Sequence, residues 1–492
     1  MAFLKQRLCS VALLLLAVLL GINLTGCADE KKQPPVTLTV WHYYNGVQQQ
    51  TFSDLVSEFN ETVGAKHGIF IESFGKGSID DLRRSVLAGV ENKVGAERQP
   101  DIFLSYADSA YELYKKGLLT DLSHYLTDSE RKKYLSSYLT EGDFSQNGSL
   151  YLFPVAKSTE ILMVNMTDFA PFAEACGINE QDLSTWEGIS AIAEKFYHYT
   201  DSLTDTPNDG KAFFGRDALA NYLLIGSLQL GEPIFKVEGH QMTLNVNRTV
   251  MRRLWDNFYV PYVSGHFAAV GRFRSDDAKT GEIIALVGAT SGASYFPNTV
   301  TRPDASSYSI EARVFPLPNF FDCERYAVQQ GAGMAVTKSD TRTEQAAAVF
   351  LKWLTEPSQN LRFCGNTGYL PVQKAAQDIT LFNRHLAQQG SPVAPIVASS
   401  LEVGINMIHN YHFYTNQAFD NGYDLRSVVE NFLKQQAEDD LAAVNALVDS
   451  GADRQTALAP FLTDAHFDQW LAAFENALRL AANKPSKIYS VS

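Results

Sequence analysis

Apolar and polar residues follow two alternating periods along the first part of the chain. VTLTV (36–40), IFIESF (69–74) and DIFLS (101–105) have the patterns of strands. Between them, TFSDLVSEFNETV and SIDDLRRSVLAGV repeat apolar residues with the spacing of one helical face. The order β-α-β-α-β predicts a parallel sheet covered by helices.

The loops that follow these strands are rich in hydrogen-bonding and aromatic residues. They are WHYYNG (41–46), GKGS (75–78) and YADS (106–109). Ligands of open α/β sheets bind beyond the carboxyl ends of the strands, which is where these loops are expected to lie. The three loops are therefore the first candidates for a binding site.

A second α/β region begins near residue 158. ILMVN (161–165) and EIIALVGATSGASYF (282–296) predict strands, with several helices between them. A further helix precedes TGYLP (367–371), and the chain from residue 378 onwards is mostly helical in pattern. No glycine–serine linker separates the two regions, so we expect the chain to cross between two lobes more than once.

Composition describes a globular protein with an acidic balance. Of 492 residues, 45% are hydrophobic and 20% are charged, and 55 acidic residues outnumber 41 basic ones. A chain of this length has room for two or three domains. Because it is acidic and has no stripe of lysine and arginine, we expect no binding to nucleic acid.

The N-terminus has the pattern of an export signal. A short basic segment precedes the apolar run VALLLLAVLL (11–20), which is too short to span a bilayer. LTGC (24–27) resembles a bacterial lipoprotein cleavage site, which implies that residues 1–26 are a signal peptide and that Cys27 carries a lipid anchor. Residues 27–35 are polar, as expected of a tether. The alternative is an ordinary cleaved signal with a chance cysteine.

Three cysteines lie beyond the tether: Cys176, Cys323 and Cys364. Their spacing contains no CxxC and fits no zinc site, so no metal is expected. Outside the cytoplasm a Cys323–Cys364 disulfide is one interpretation, and separate buried thiols are the other.

Motifs of common catalytic sites are absent from the sequence. There is no HExxH, no GxSxG, no phosphate loop and no GxGxxG. Adjacent acidic pairs are typical of solvated faces, and neighbours on a helix point in different directions. We therefore expect no catalytic residues and no cofactor. Carboxylates distant in sequence can still meet in a fold, which keeps a secreted hydrolase acting on glycans as the alternative class.

The order of several motifs is similar to that of a known family. TLTVWHYYNG, PDIFLSYADS, TWEGI, GATSGAS, GAGMAVT, FLKWLTEPSQNLRF and TGYLPVQKAA follow one another between residues 36 and 377. Together they resemble the extracellular solute-binding proteins (family 1) of ABC importers, in the branch that takes sugars and glycerol phosphates. TGYLP after a helix with FLKWLT is the most specific part of the resemblance.

The resemblance implies an α/β fold with two lobes, of the periplasmic-binding-protein type. Each lobe is a mainly parallel sheet flanked by helices, with a ligand cleft between the lobes and a hinge of crossing strands. The crossings are expected near 156–160, 288–291 and 337–340. The expected parts of the chain are a first lobe of 36–157 plus 290–338, a second lobe of 158–289 plus 339–482, and a tail of 483–492.

The resemblance also implies residues of the cleft. Tyr369 is similar to a cleft tyrosine that the second lobe offers to the ligand. The other implied ligand-binding residues lie in loops after strands, at crossings or where the backbone approaches the ligand: Trp41, His42, Tyr43, Tyr106, Asp108, Ser158, Ser291 and Gly331. Core packing is the alternative role of the aromatic residues, and backbone capping is that of the serines. Arg216 is a further candidate, as a guanidinium in the cleft or a surface charge.

Two departures from the family bear on the ligand. Ala107 stands where glycerol-phosphate relatives tend to carry glutamate, and LEVGINMIHNYHF (401–413) lacks the arginine of those relatives. A phosphate favours a bidentate arginine, whereas flat rings and carboxylates suit pyranoses. We therefore predict a neutral mono- or oligosaccharide. Glycerol 3-phosphate or a glycerophosphodiester is the alternative, for which Arg216 or Lys157 would supply the charge.

The predicted role is that of a non-enzymatic lipoprotein of the cell envelope. It is anchored to the membrane, faces the periplasm or the cell exterior and acts as a monomer. It captures a small-molecule ligand by hinge closure and delivers it to the permease subunits of an ABC transporter. A receptor that signals rather than transports has the same fold and is an alternative.

Overall fold

The computed structural model describes residues 34–90, 95–239, 241–388, 393–415 and 417–484. The signal segment, Cys27, most of the tether and most of the tail lie outside these residues. Within the described ranges, no helix combines the length and the apolar character needed to cross a membrane.

The strands are short and are distributed over most of the chain. They are β1 (Val36–His42), β2 (Ile69–Gly75), β3 (Ile102–Ser105), β4 (Glu160–Asn165), β5 (Phe214–Arg216), β6 (Phe235–Glu238), β7 (Gln241–Leu244), β8 (Ala285–Ala289), β9 (Thr299–Thr301), β10 (Ser307–Ser309), β11 (Ala312–Pro316), β12 (Tyr326–Gln329), β13 (Gly333–Val336) and β14 (His412–Thr415).

The helices surround the sheets, and the longest lie near the C-terminus. They are α1 (Gly46–Phe59), α2 (Ala65–His67), α3 (Ile79–Val90), α4 (Ala107–Lys115), α5 (Asp128–Arg131), α6 (Ser136–Thr140), α7 (Met166–Cys176), α8 (Trp186–Asp201), α9 (Leu219–Gln229), α10 (Arg248–Asp256), α11 (Tyr259–Val263), α12 (Arg274–Thr280), α13 (Thr341–Leu354), α14 (Pro357–Thr367), α15 (Ile379–Gln388), α16 (Pro395–Asn410), α17 (Gly422–Asp449), α18 (Arg454–Leu458) and α19 (Asp464–Ala482).

The first sheet has the strand order β13-β3-β1-β2. β1 pairs in parallel with β2 and β3, and β13 adds an antiparallel edge. Leu38 and Val40 of the alternating segment are fully buried, and α1 contributes Phe52, Leu55 and Phe59 to the same core. The β-α-β-α-β interpretation of the first part of the chain is confirmed, because the apolar positions meet where their periods predict.

The second sheet has the order β11-β4-β8-β5. β4 is antiparallel to both β8 and β11, and only β5 pairs in parallel, with β8. All residues of β4 are buried. This sheet is mixed rather than mainly parallel, which corrects one detail of the prediction, while the two-lobed α/β fold class is confirmed.

Two hydrophobic cores define the lobes. The first core draws its residues from 38–156 and 332–372, and the second from 161–328 and 407–481. Segment 290–328 stays in the second lobe because β11 pairs with β4 there. Helices α13 and α14 stay in the first lobe, where Phe350 and Phe363 are buried. The lobe boundaries therefore differ from the predicted ones at both places.

The crossings between the lobes follow from these cores. The expected crossings at 288–291 and 337–340 lie inside the second and first lobes, respectively. The chain instead crosses at 157–160, at 329–331 and after Val372. Only the first expected crossing coincides with the division between the cores.

Backbone hydrogen bonds hold the crossing segments side by side. Lys157 and Leu370 exchange two N–H···O bonds of 3.0 and 2.5 Å, and Ser158 and Gln330 exchange two of 2.7 and 3.0 Å. Gly331 follows with a φ of 99°, and a Cβ there would come within 2.9 Å of a backbone carbonyl oxygen. Glycine is required at this position because the segments approach too closely for a side chain.

The three cysteines of the described chain carry free thiols. Cys364 is sealed in the first core, whereas Cys323 is half-buried against the second core. The Cys323–Cys364 disulfide interpretation is therefore wrong, since the two residues belong to different lobes, and the interpretation as separate thiols is correct.

Candidate functional site

A cavity of about 450 Å³ lies between the two lobes, a volume suited to a small molecule. Its walls are the loops after β1 and β3, the start of β4, the end of β8 and the crossing segments. Predicted site residues that line this cavity are Tyr43, Tyr106, Ser158, Ser291, Gly331 and Tyr369. The structure thus brings together six residues that are far apart in sequence.

Tyr369 is held by the turn that ends α14. Gly368 adopts the left-handed conformation, with a φ of 75°, and a Cβ there would come within 2.4 Å of the Thr290 carbonyl oxygen. Only glycine lets this turn touch the second lobe. Tyr369 itself belongs to the first core and stacks on Phe363, with ring centroids 5.7 Å apart. The expectation that Tyr369 belongs to the second lobe is therefore wrong.

The hydroxyl group of Tyr369 lies among other hydroxyl groups of the cavity. The side chains of Tyr43 and Ser291 interact with it, and burial raises the pKa of Tyr369 above its ordinary value. The phenol therefore stays neutral at physiological pH and both donates and accepts hydrogen bonds. Tyr106, the residue before α4, adds a ring that is 40% exposed.

Two side-chain hydrogen bonds join the lobes at the cavity. Gln48 Nε2 donates to the carbonyl oxygen of Ser291 at 3.3 Å, and the Tyr295 hydroxyl donates to Asn45 Oδ1 at 2.9 Å. All four residues line the cavity. No local pattern identifies Asn45, Gln48 or Tyr295 as site residues, since their hydrogen bonds are made with partners on the other lobe.

Trp41 lies in the first core rather than in the cavity. β1 extends beyond the predicted strand, so that Trp41 and His42 still pair with β2. The Trp41 side chain is nearly sealed, and the Lys76 ammonium lies 4.0 Å from its ring centroid. This cation–π contact covers the ring. The loop that reaches the cavity begins only at Tyr43.

His42 is buried with no counter-ion among the described residues. It is 1% exposed and lies against Tyr44 and Phe52, with ring centroids 5.5 and 5.1 Å away. Its Nδ1 has no hydrogen-bond partner among the described residues. Burial lowers the pKa of His42 to about 4, so the ring is neutral at physiological pH. His42 is therefore a core residue in this structure.

Asp108 and Arg216 also lie outside the cavity lining. Asp108 lines a neighbouring cavity, where its Oδ1 accepts the Ser109 N–H at 2.7 Å. The guanidinium of Arg216 lies 5.3 Å from the ring centroids of both Trp186 and Tyr222, and its side chain is sealed. Arg216 is thus neither a cleft cation nor a surface charge.

Glu160 is the acidic partner that Arg216 holds at the cavity wall. Arg216 Nη2 donates to Glu160 Oε2 at 2.8 Å, and Asn221 Nδ2 donates to Glu160 Oε1 at 2.9 Å. Asn221 Nδ2 also lies 3.0 Å from Gln330 Oε1, and Gln330 lines the cavity too. Each carboxylate oxygen of Glu160 keeps acceptor capacity for a ligand hydroxyl. An acidic residue opening the apolar segment ILMVN is the local signal that identifies Glu160.

The cations near the cavity are paired with carboxylates. Lys157, which does not line the cavity, donates to Glu141 at 2.5 Å. Lys279, which does line it, lies 3.2 Å from Asp276. Among the described lining residues a phosphate would therefore find no unpaired guanidinium or ammonium group. Aromatic rings, hydroxyls, amides and carboxylates make up most of the polar lining.

Solved structures of other proteins share this arrangement of two lobes. One is a cyclic alpha-maltosyl-1,6-maltose binding protein from Arthrobacter globiformis, with 18% identity and a TM-score of 0.63, covering 91% of this chain and 99% of the other. UgpB from Mycobacterium tuberculosis, in complex with glycerophosphocholine, has 17% identity, a TM-score of 0.63 and the same coverage. The ABC substrate-binding protein Lmo0181 from Listeria monocytogenes, in complex with cycloalternan, has 13% identity and a TM-score of 0.64, covering 90% and 99%.

At these identities the likeness establishes the fold alone. A comparison with curated proteins finds no match. A family model, however, matches residues 54–387, more than half of the chain, and its description is bacterial extracellular solute-binding protein. The matched residues include the cavity lining from Tyr106 to Tyr369. The resemblance inferred from the order of motifs is confirmed, and the chain belongs to the bacterial extracellular solute-binding proteins.

Proposed function

We propose that the protein captures a neutral mono- or oligosaccharide between its lobes and delivers it to the permease of an ABC transporter. The observation that carries this proposal is the cavity lining, with tyrosine rings from the first lobe and Glu160 at the start of β4. Rings cover the apolar faces of pyranoses, while carboxylates and amides bond their hydroxyl groups. The similar proteins from Arthrobacter globiformis and Listeria monocytogenes are described with saccharide ligands, which supports the choice.

A glycerophosphodiester is the second candidate. It is supported by the similar Mycobacterium tuberculosis protein in complex with glycerophosphocholine. In this chain the phosphate would have to draw Lys279 away from Asp276, because the cations near the cavity are paired. That requirement makes the neutral saccharide the better fit.

A thermal-shift panel separates the two ligand classes. It comprises gluco-, galacto-, manno- and xylo-saccharides of one to four units, glycerol 3-phosphate and glycerophosphocholine. A ligand at 100 times its dissociation constant should stabilise the protein by about 2.7 kcal/mol. Stabilisation by the glycerol phosphates with none from any saccharide would overturn the saccharide proposal.

The proposed role is binding without catalysis. The family is one of solute-binding proteins, and the sequence lacks the common catalytic motifs. Incubation with the same saccharides should leave them intact. Turnover at an enzyme-like rate of about 1 s⁻¹ or more would assign the protein to the hydrolases instead.

The proposed capture step is a closure of the lobes by a single chain. Crossing segments joined by a few backbone hydrogen bonds allow such a rotation. Small-angle scattering with the best saccharide of the panel should report a monomer mass and a smaller radius of gyration than without it. An unchanged radius at saturation would contradict closure.

The proposed lipid anchor at Cys27 rests on the sequence LTGC after a short apolar run. An extracellular family agrees with export, and acyl chains on Cys27 would hold the protein at the membrane surface. Cys27→Ser should move the protein from the membrane fraction to the soluble fraction. Retention in membranes after a salt wash would contradict the anchor.

A further inference from the structure

Asparagine is followed by glycine at three places in the chain, at Asn45, Asn147 and Asn421. In such a pair the glycine nitrogen can attack the side-chain carbonyl carbon of the asparagine, because no Cβ hinders its approach. The new C–N bond closes a cyclic imide and expels ammonia. Water then opens the imide at either carbonyl group, which leaves aspartate or isoaspartate. The reaction therefore consumes only water, and its rate depends on the groups around each amide.

The surroundings of Asn147 oppose this reaction. Its Oδ1 accepts the Ser149 N–H at 3.1 Å, which holds the amide in a local turn. The attacking group would be the Gly148 N–H, which donates to Asp143 Oδ2 at 2.8 Å. The nitrogen would have to leave this carboxylate before it could attack.

The surroundings of Asn421 oppose it as well. Its Nδ2 donates to the carbonyl oxygens of Ala482 and Lys484 at 2.9 and 3.0 Å. The buried Gly422 donates its N–H to the Phe419 carbonyl oxygen at 3.1 Å. At this place both the amide that must depart and the nitrogen that must attack are hydrogen-bonded.

Asn45 differs from both, because its reacting groups are free. It is exposed directly before α1, and its side chain does not cap the helix. Neither its Nδ2 nor the Gly46 N–H has a hydrogen-bond partner among the described residues. Gly46 is the first residue of α1, so its N–H is one of the donors that every helix leaves unpaired.

The Tyr295 hydroxyl activates the Asn45 amide towards attack. It donates to Asn45 Oδ1 at 2.9 Å, and this oxygen gains negative charge when the Gly46 nitrogen adds to the carbonyl carbon. A donor placed there stabilises the charge as it develops. Burial raises the pKa of Tyr295, so the phenol keeps its proton in mildly alkaline solution.

The position of Gly46 at the start of α1 favours the attack in two ways. The positive end of the helix dipole lies there, which favours loss of the N–H proton. The backbone bond from the Gln49 N–H to the Asn45 carbonyl oxygen is 3.3 Å long, so the first turn is weakly held. Helix ends open more readily than helix centres, and such an opening lets the nitrogen reach the side-chain carbon.

We propose that Asn45 is a site of spontaneous modification, converted to aspartate and isoaspartate by the Gly46 nitrogen with Tyr295 as the activating donor. Asn45 and Tyr295 both line the cavity between the lobes. Conversion adds a negative charge to this lining. In isoaspartate the main chain runs through the former side chain, so the acceptor of the Tyr295 hydroxyl moves and a contact between the lobes is lost. The protein thus loses ligand affinity as it ages, whichever class of ligand it binds.

Peptide mass spectrometry of the purified protein, kept folded in mildly alkaline buffer for several weeks, tests the site. Conversion raises the mass of a peptide by the difference between water and ammonia, and chromatography separates isoaspartate from aspartate. Asn147 and Asn421 are the matched controls in the same sample, and denatured protein gives the rate of each pair without the fold. We expect conversion of Asn45 while the other two remain amides. Equal conversion of the three, or an intact Asn45 after the time in which denatured protein reacts, would overturn the proposal.

Tyr295→Phe tests the activating donor, because it keeps the ring and removes only the hydroxyl group. Conversion of Asn45 should become severalfold slower in the folded variant and should be unchanged in the denatured one. A hydroxyl group that merely restrained the amide would slow the reaction in the wild type. An unchanged or higher rate in folded Tyr295→Phe would therefore overturn the role of Tyr295.

Calorimetry of fresh and aged protein tests the consequence for binding. With the best saccharide of the panel, aged wild type should bind about two- to tenfold more weakly than fresh protein, since one lost hydrogen bond has about that effect. Asn45→Gln, whose longer side chain does not readily form the imide, is aged in parallel and should keep its initial affinity. Unchanged affinity of the converted wild type would overturn this consequence. If no saccharide binds, the proposed function fails, whereas the mass measurement still decides the modification.

Discussion

Two buried ion pairs flank the first crossing, three residues apart, and they differ in their surroundings. Lys157 donates to Glu141 at 2.5 Å and to the Gly331 carbonyl oxygen at 2.8 Å, and it faces the first lobe. Glu160 accepts from Arg216 at 2.8 Å and faces the second lobe. Both pairs are nearly sealed from solvent. Each lobe thus holds one end of the crossing segment 157–160 through a buried ion pair.

The two ion pairs differ in whether one of their residues lines the cavity. Lys157 does not line the cavity, so its pair serves the fold. Glu160 lines the cavity, so its pair with Arg216 holds a carboxylate in place where a ligand would lie. Lys157 and Arg216 were also the two residues from which charge for a phosphate was expected. The comparison shows that a buried cation beside a binding site can orient an acid instead of binding an anion.

The largest expected effect is on the pair that serves the fold. Lys157→Met leaves Glu141 buried without a counter-ion, and breaking a buried pair in this way typically costs about 3–5 kcal/mol. Denaturant unfolding of the ligand-free protein measures the loss. The double variant Lys157→Met with Glu141→Gln should recover part of it, because the uncompensated charge is gone. Wild-type stability of the single variant would contradict the assigned role.

His42 offers a contrast to both pairs, because it is buried and its Nδ1 has no hydrogen-bond partner among the described residues. The pKa of His42 is about 6.5 in the unfolded chain and is lowered to about 4 by burial. Between about pH 6.5 and pH 4 the unfolded chain therefore binds a proton at His42 that the folded chain does not bind. The contribution of His42 to the free energy of unfolding is thus fully present above about pH 6.5 and is lost as the pH falls towards 4. The loss reaches about 3 kcal/mol.

His42→Phe should remove this pH dependence, because a ring of similar shape no longer takes up a proton. The free energy of unfolding of both proteins is measured between pH 7 and pH 4. His266, whose pKa burial also lowers to about 4, contributes equally to both and cancels in the difference. Parallel curves for the two proteins would show that His42 titrates normally.

The pair at the cavity should affect binding more than folding. Glu160→Gln keeps an acceptor for Arg216 but removes the charge, and hydrogen bonds to charged groups are worth about 1.5–3 kcal/mol. Calorimetry with the best saccharide of the panel should show that loss of affinity. Glu141→Gln is the matched control and should leave affinity unchanged. Equal effects of the two variants would erase the distinction between the pairs.

The smallest expected effect concerns Tyr369, which lines the same cavity as Glu160. Tyr369→Ala should weaken saccharide binding by about 1–3 kcal/mol, the scale of a lost aromatic anchor. Tyr369→Phe removes only the hydroxyl group and should cost about 0.5–1.5 kcal/mol. Unchanged affinity in Tyr369→Ala would reassign the ring to packing alone.

The sequence was sufficient to predict the elements that depend mainly on neighbouring residues. The first three strands and their helices follow from periods of two and 3.6 residues, and Tyr43 and Tyr106 were found because they follow strands. Trp41 and His42 were assigned wrongly to the loop because β1 is two residues longer than VTLTV, and its length depends on pairing with β2.

The remaining errors concern contacts between distant segments. No local pattern shows that β11 pairs with β4, and for this reason the second crossing was misplaced. The third was misplaced because α13 and α14 pack into the first core, which no local pattern shows either. Gln330 was missed because its role depends on Asn221, which lies far from it in sequence. Glu160 was missed although an acidic residue before the apolar segment ILMVN is a local signal. The resemblance to a family located Tyr369 correctly in the cavity but on the wrong lobe.

The backbone hydrogen bonds between the crossing segments bear on how fast a ligand can be released. Tyr369 is the direct neighbour of Leu370, whose backbone is bonded twice to Lys157. Ser158, the residue after Lys157, also lines the cavity. The groups that would hold the ligand are thus built into the crossing segments, and if the lobes close as proposed, a bound molecule would depart only when these segments move. We expect its residence time to be set by how often the crossing opens, which makes release a kinetic property of the backbone.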